Sequence, residues 1–234
     1  VEELKATIAR EGDTYDEVIN ITPQPQASVT IMDQKTGAIK AMVGGRGAKS
    51  SSLSLNRAYK GSKRQPGSTF KILAAYAPAI DSCGKSLSTI VVDEPYKYKN
   101  GKNVKNASRS YKGAVTYRTA IANSINVCAV KVSDEISQEL GFEYCEKFGI
   151  STLIKEKKTD AGVFSDINQT LALGGVTDGV YNYELCAAYA TIANGGTYNT
   201  PTLYTKIVDH DGNVLLENPG DSHQAIKEGT ASLL

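Results

Sequence analysis

Apolar and polar residues change period several times along this chain, and each change predicts an element. Ser28-Val29-Thr30-Ile31-Met32 and Ala38-Ile39-Lys40-Ala41-Met42-Val43 read as strands, with turn-forming Asp33-Gln34-Lys35-Thr36-Gly37 between them. The pair predicts a β-hairpin closed by Gly44-Gly45. A serine-rich loop, Ser50-Ser51-Ser52, leads to Phe70-Lys71-Ile72-Leu73-Ala74-Ala75-Tyr76-Ala77, which leaves almost no polar face and predicts a buried helix. Pro78 and Gly84 are expected to end that helical region. Residues 93–113 are rich in Tyr, Lys, Asn and Gly and read as a solvated loop. Helical periodicity returns at Val115, breaks near Asn123-Ser124 and resumes through Val127-Cys128-Ala129-Val130. Leu140-Gly141 is expected to end this element, with a short helix following to Phe148-Gly149.

Leu171-Ala172-Leu173-Gly174-Gly175 reads as a sharp turn. Asn182 is expected to cap a helix from Tyr183 to Asn194, stopped by Gly195-Gly196. Tyr204 to Val208 and Val214 to Glu217 flank Asp209-His210-Asp211-Gly212-Asn213, a second hairpin signal. Ile226 to Leu234 is helix-like. Residues 1–26 are charged and end in Thr22-Pro23-Gln24-Pro25-Gln26, the composition of a linker.

At 234 residues the chain is long enough for one large domain or two small ones with a real core. A net charge of +1 with no dominant charged block gives no reason to expect nucleic acid as a partner. No apolar run approaches membrane-spanning length, so any anchor is expected outside this stretch. Cys83, Cys128, Cys145 and Cys186 show no metal-ligand spacing, and the only histidines are His210 and His223. Neither a metal nor a cofactor is expected, and lysine is left as the natural base for any serine chemistry.

That chemistry has a candidate in Ser68-Thr69-Phe70-Lys71. Three residues apart at the start of a helix, a hydroxyl and an amine share one face. Free lysine has a pKa of about 10.4, so only about one in a few thousand is a neutral base at pH 7; burial lowers that value by penalising the ammonium. The Ser68 backbone N–H, at the helix N-terminus, can face a developing oxyanion. Nucleophile, base and one oxyanion donor then come from a single turn. Taken alone, the same residues also describe an N-cap serine and a lysine whose stem snorkels to water. A second candidate is Ser124-Ile125-Asn126. On a continuous helix Ser124 and Asn126 point apart, but across a backbone break they share a side. Ser124 could then relay a proton to or from Lys71 while the Asn126 amide holds a peptide. Ser82-Cys83-Gly84-Lys85, Ser54-Leu55-Asn56 and Lys35-Thr36-Gly37 spell similar motifs in the wrong order or context.

Asn56-Arg57-Ala58, Arg64-Gln65-Pro66-Gly67-Ser68-Thr69-Phe70-Lys71, Ser124-Ile125-Asn126, Leu173-Gly174-Gly175 and Ala188-Tyr189-Ala190-Thr191-Ile192-Ala193-Asn194-Gly195-Gly196 occur here in this order. Together they resemble the transpeptidase domain of class A penicillin-binding proteins, from about Ala27 to the last residue. The resemblance implies an α+β fold, a helical subdomain plus a helix-covered antiparallel sheet. It makes Ser68 the acylated nucleophile, Lys71 its base, Ser124 a proton shuttle and Asn126 a substrate-binding contact. It implies peptidoglycan stem peptides ending in D-alanyl-D-alanine as donors, β-lactams as covalent inhibitors, and an extracytoplasmic location. The family's third motif, K-T-G or K-S-G, is not reached. Residues 1–26 are therefore expected to be a linker remnant and 27–234 the N-terminal part of the domain, with the sheet incomplete. A complementary C-terminal chain or continuation carrying the K-T-G strand is the expected partner, and the fragment is expected to be inactive without it. The alternatives are a D,D-carboxypeptidase or serine β-lactamase, or a non-catalytic β-lactam sensor or scaffold.

Overall fold

The computed structural model describes residues 25–49, 52–160 and 162–234. Most of the expected linker 1–26 and most of the serine-rich loop lie outside the described residues. The rest folds around one composite helix. Its first turn, Gly67–Thr69, is 3-10; Ile72–Tyr76 is π-helical; Ala77–Ser82 is a regular α-helix, α1. Phe70, Leu73, Ala74 and Ala77 enter one buried cluster with Phe142, Phe148, Leu171 and Ala188. Ala75, Tyr76 and Ala79 enter a second with Tyr117, Cys128, Ala129 and Val132. A helix lodged between two cores buries its whole circumference, which is why its sequence carries no polar face. Full burial of a side chain such as Phe70 or Leu73 contributes about 1.5–3 kcal/mol each.

Around this axis, β1 (Val29–Met32) and β2 (Ile39–Val43) form the expected hairpin. β3 (Ile90–Asp93) pairs with β6 (Gly113–Thr116), and β4 (Tyr96–Lys97) with β5 (Asn103–Val104). Three helices follow: α2 (Tyr117–Ala122), α3 (Asn126–Ile136) and α4 (Gln138–Lys147). After the β7 (Lys157–Thr159) and β8 (Gly162–Phe164) hairpin comes α5 (Asn182–Ala193), which packs on β1. β9 (Thr197–Asn199) pairs with β12 (Ser222–Gln224), and β10 (Lys206–Val208) with β11 (Val214–Glu217), before α6 (Glu228–Leu233). Among the described residues every sheet is a two-stranded antiparallel pair.

Four positions differ from the sequence-based expectation. The central helix continues through Pro78, which falls in the first turn of α1, where a missing N–H is tolerated. Gly141 lies inside α4 rather than ending a helix. A Cβ there would strike the Ala74 carbonyl, so glycine is what lets α4 lie against the π-helical turn. Residues 93–113 are not simply solvated: Asp93, Val104 and Asn106 are buried, Val104 against Val127 and Val130. Asn182 is the first residue of α5, not its cap, and its Oδ1 accepts from Thr30 Oγ1 at 2.6 Å.

Gly141→Ala is expected to lower folding stability by about 1–3 kcal/mol through overpacking, against the roughly 1 kcal/mol that alanine gains in helix propensity. A urea midpoint unchanged or raised in this variant would show that α4 and the π turn are not in close contact.

Candidate active site

Ser68 sits exposed in the 3-10 turn, and the residues around it hold that turn from three sides. Upstream, Arg64 and Val180 exchange backbone hydrogen bonds in both directions, at 3.0 and 2.8 Å. The Gln65 side chain then grips the backbone of one residue from both sides: its Oε1 accepts from Val176 N at 2.9 Å and its Nε2 donates to the Val176 carbonyl. Gly174, at φ +72°, lies so close to the Gly67 backbone that any Cβ would collide with it. From α5, Tyr189 Oη donates to the Thr69 carbonyl at 2.8 Å. In a 3-10 turn residues i and i+3 eclipse, so Ser68 and Lys71 are set on one side of the helix.

Lys71 is 3% exposed, yet its ammonium group has a full set of partners. Nζ donates to the Ser124 carbonyl at 2.5 Å, to Ser124 Oγ at 2.9 Å and to Asn126 Oδ1 at 2.6 Å. Burial lowers its pKa from 10.5 to about 8. At pH 7 about one molecule in ten then holds a neutral amine, a gain of more than two orders of magnitude over free lysine. The same three contacts suit both protonation states. As an ammonium, Lys71 donates all three hydrogen bonds. As an amine, it keeps two N–H donors for the Ser124 carbonyl and Asn126 Oδ1, and its lone pair accepts from the Ser124 hydroxyl. Only the Ser124 O–H has to turn.

The backbone makes this convergence possible. α2 ends at Ala122, Ser124 takes φ +50°, Ile125 is extended, and α3 starts at Asn126. The break turns Ser124 and Asn126 to the same side, onto Lys71. Asn126 is itself anchored, its Nδ2 donating to the Lys105 carbonyl at 2.7 Å. Beneath the site, burial pushes the Cys128 thiol up to about 12, so it stays neutral at physiological pH. The look-alike motifs are elsewhere: Lys35-Thr36-Gly37 forms the β1–β2 turn, and Lys85 pairs with Glu135. Among the described residues no three His, Cys, Asp or Glu side chains gather as a metal site.

A family profile described as penicillin binding protein transpeptidase domain matches residues 27–234. The chain belongs to this family. Penicillin-binding protein 1A of Clostridium tetani is 38% identical over 218 residues, which is 90% of this chain and 27% of the relative. Penicillin-binding protein 1A/1B of Bacillus subtilis is 30% identical over 226 residues, 96% of this chain and 23% of the relative. The chain thus spans about a quarter of the length of these curated relatives. Among solved structures, PonA1 of Mycobacterium tuberculosis in complex with penicillin V shares the fold, with a TM-score of 0.73 at 24% identity, over 88% of this chain and 53% of that one. Penicillin-binding protein 1A from Haemophilus influenzae gives 0.66 at 27% identity, over 84% of this chain and 27% of that one. The α+β, penicillin-binding transpeptidase fold expected from the sequence is the fold observed, present here in part.

For this member of the transpeptidase family, sequence reasoning missed the supports of the turn that carries Ser68. Gln65 and Tyr189 lie in the strings that carry the resemblance, but nothing in their spacing says that one grips Val176 and the other Thr69.

Two outcomes test this geometry. An unfolded Lys71 titrates near 10.5 and the folded one near 8, so the buried ammonium destabilises the fold fully below pH 8, and the penalty fades as pH rises from 8 towards 10.5. Lys71→Met is therefore expected to be more stable relative to the parent chain at pH 7 than at pH 10 by urea denaturation; a pH-independent difference would contradict the shift. Ser124 occupies left-handed backbone, so Ser124→Gly is expected to be about 1 kcal/mol more stable than Ser124→Ala. Equal thermal midpoints would argue that the strain at residue 124 is absent.

Proposed function

We propose that the chain is the acyl-transfer part of a peptidoglycan D,D-transpeptidase, with Ser68 as nucleophile, Lys71 as base, Ser124 as proton relay and Asn126 as a donor-peptide contact. The observation that carries the reading is the buried Lys71 amine, one turn from an exposed serine and bonded to Ser124 and Asn126, the two polar residues of the Ser124-Ile125-Asn126 motif. Ser68 Oγ attacks the penultimate carbonyl of a stem peptide ending in D-alanyl-D-alanine, and its proton passes to the neutral Lys71 as the Ser124 hydroxyl turns away and frees the amine lone pair. The Ser68 N–H faces the oxyanion. As the tetrahedral intermediate collapses, D-alanine leaves with a proton passed from Lys71 through Ser124. An acceptor amine from a second stem then attacks the Ser68 ester and releases the cross-linked peptide. A β-lactam follows the first half of this course, its ring opening onto Ser68 to leave an ester.

In this reading residues 27–234 are the N-terminal portion of the domain, and a K-T-G strand outside them supplies the second oxyanion donor. The share of the relatives' length that the chain spans supports this. The domain works at the extracytoplasmic face of the membrane, with its anchor outside these residues; among the described residues no helix is long and apolar enough to span a bilayer.

Fluorescent penicillin applied to the full-length protein is expected to label Ser68, as located by peptide mapping, and Ser68→Ala is expected to abolish the label. Lys71→Met is expected to slow labelling by about 10²–10⁴-fold, the usual worth of a general base. The parent rate is expected to climb with pH to a plateau above about 8. Release of the label within seconds would make the protein a β-lactamase. Stable labelling without release of D-alanine from a D-alanyl-D-alanine peptide would make it a sensor, and no labelling would reject acyl transfer.

A further inference from the structure

The segment between β3 and β6 carries Lys97, Lys99, Lys102, Lys105, Arg109 and Lys112, with no acidic residue from Pro95 to Gly113, in a chain of net charge +1. None of Lys97, Lys102, Lys105, Arg109 and Lys112 forms an ion pair with another described residue. Unpaired surface cations are ordinary, but these are rigidly mounted. Asn106, 7% exposed, donates through Nδ2 to Asp93 Oδ1 at 2.7 Å and to the Ser110 carbonyl at 3.1 Å. Its Oδ1 accepts from Val127 N, in the first turn of α3, at 3.1 Å. Buried Asp93 uses its other oxygen to accept from Lys112 N at 2.9 Å. The loop is thereby fastened to the start of α3, and the Lys105 carbonyl is bonded to the same Asn126 amide that holds Lys71.

Against this mount opens a cleft of about 560 Å³ lined by Lys105, Asn106, Arg109 and Tyr111. Arg109 is held at φ +56°, backbone that non-glycine residues seldom adopt, and the Tyr111 ring is 46% exposed. Two cations beside an aromatic ring, on a backbone fixed before any ligand arrives, suit a carboxylate carried on a peptide: the cations pair with the anion and the ring covers the neighbouring peptide plane. The uncompensated charge also raises the local concentration of anionic ligand.

We propose that this cleft is a carboxylate subsite for the acyl donor, in which an acidic side chain of the peptide, on the acyl side of the bond attacked by Ser68, lies between Lys105 and Arg109. The inference rests on the donor-peptide reading of Asn126 given above. A peptide is favoured over a long polyanion because two cations, not a continuous track, line the cleft, and because the cleft is joined to Asn126.

The test is a binding measurement that needs no acyl transfer. A ¹⁵N-labelled Ser68→Ala form of the full-length protein is titrated with acetyl-glutamyl-D-alanyl-D-alanine and with acetyl-glutaminyl-D-alanyl-D-alanine, which share a terminal carboxylate and differ only in the side-chain charge. The glutamyl peptide is expected to bind about three- to tenfold more tightly, as two exposed ion pairs provide, with amide shifts concentrated at residues 105–111. The preference is expected to vanish in 0.5 M NaCl and in the Lys105→Gln, Arg109→Gln double variant, which keeps the Lys105 carbonyl. Equal affinities for the two peptides, or a preference that survives the double variant, would overturn the subsite. So would inorganic polyphosphate binding the same residues more tightly than the glutamyl peptide, which would assign the cleft to a polyanion. Because a chain that fails to react with penicillin can still show or lack this preference, the two readings fail separately.

Discussion

A lysine amine sealed beneath one turn of helix, with just enough acceptors to satisfy it, is the constraint on which this structure depends. Leaving an ammonium unpaired in that position would cost several kcal/mol. Ser124 and Asn126 meet that cost with three contacts, and the residual desolvation brings the pKa to about 8 rather than reversing the charge outright. The arrangement holds the amine between two states. Either protonation form keeps its hydrogen bonds, so a proton can move without the side chains rearranging.

The rest of the fold can be understood as the means of keeping that amine buried and the neighbouring hydroxyl exposed. Two cores press on the composite helix from opposite sides, so it has no freedom to roll and carry Lys71 to water. The helix changes pitch as it passes the site, from 3-10 at Ser68 to π at Ile72–Tyr76. Irregular turns of this kind are tolerated where surrounding contacts over-determine them. Here those contacts are the Gln65 grip on Val176, the Gly174 approach to Gly67 and the Tyr189 bond to Thr69. All three come from segments more than a hundred residues away in the chain, so folding of the late helices and preparation of the early serine are one event.

The loop before α3 extends the same logic outwards. Its buried polar pair, Asp93 and Asn106, has no catalytic contact, yet it fixes the height at which Asn126 meets Lys71 and the position of the cations beside it. Polar groups inside a protein are costly unless every bond is made, and here they are made between the loop and the helix that carries the site. Rigidity of the amine and presentation of a cationic wall therefore share one set of bonds.

Local chemistry was legible wherever it was settled within a few residues. The β1–β2 and β10–β11 hairpins follow from alternation and turn residues alone, and the shared face of Ser68 and Lys71 follows from their spacing, since helices of either pitch bring i and i+3 together. The unbroken apolar run of the central helix likewise announced burial, because nothing but a core accepts such a surface. What the sequence could not decide is what depends on a distant partner. A glycine that ends a helix and one that lets two helices touch are the same letter, and only the Ala74 carbonyl beside Gly141 tells them apart. Asp93 and Asn106 have the composition of a solvated loop, and only their mutual bond makes them interior. Ser124 and Asn126 could lie on opposite sides or on one. The left-handed turn at Ser124, held by packing on both sides, is what brought them to Lys71, because a strained backbone persists only where tertiary contacts outweigh it.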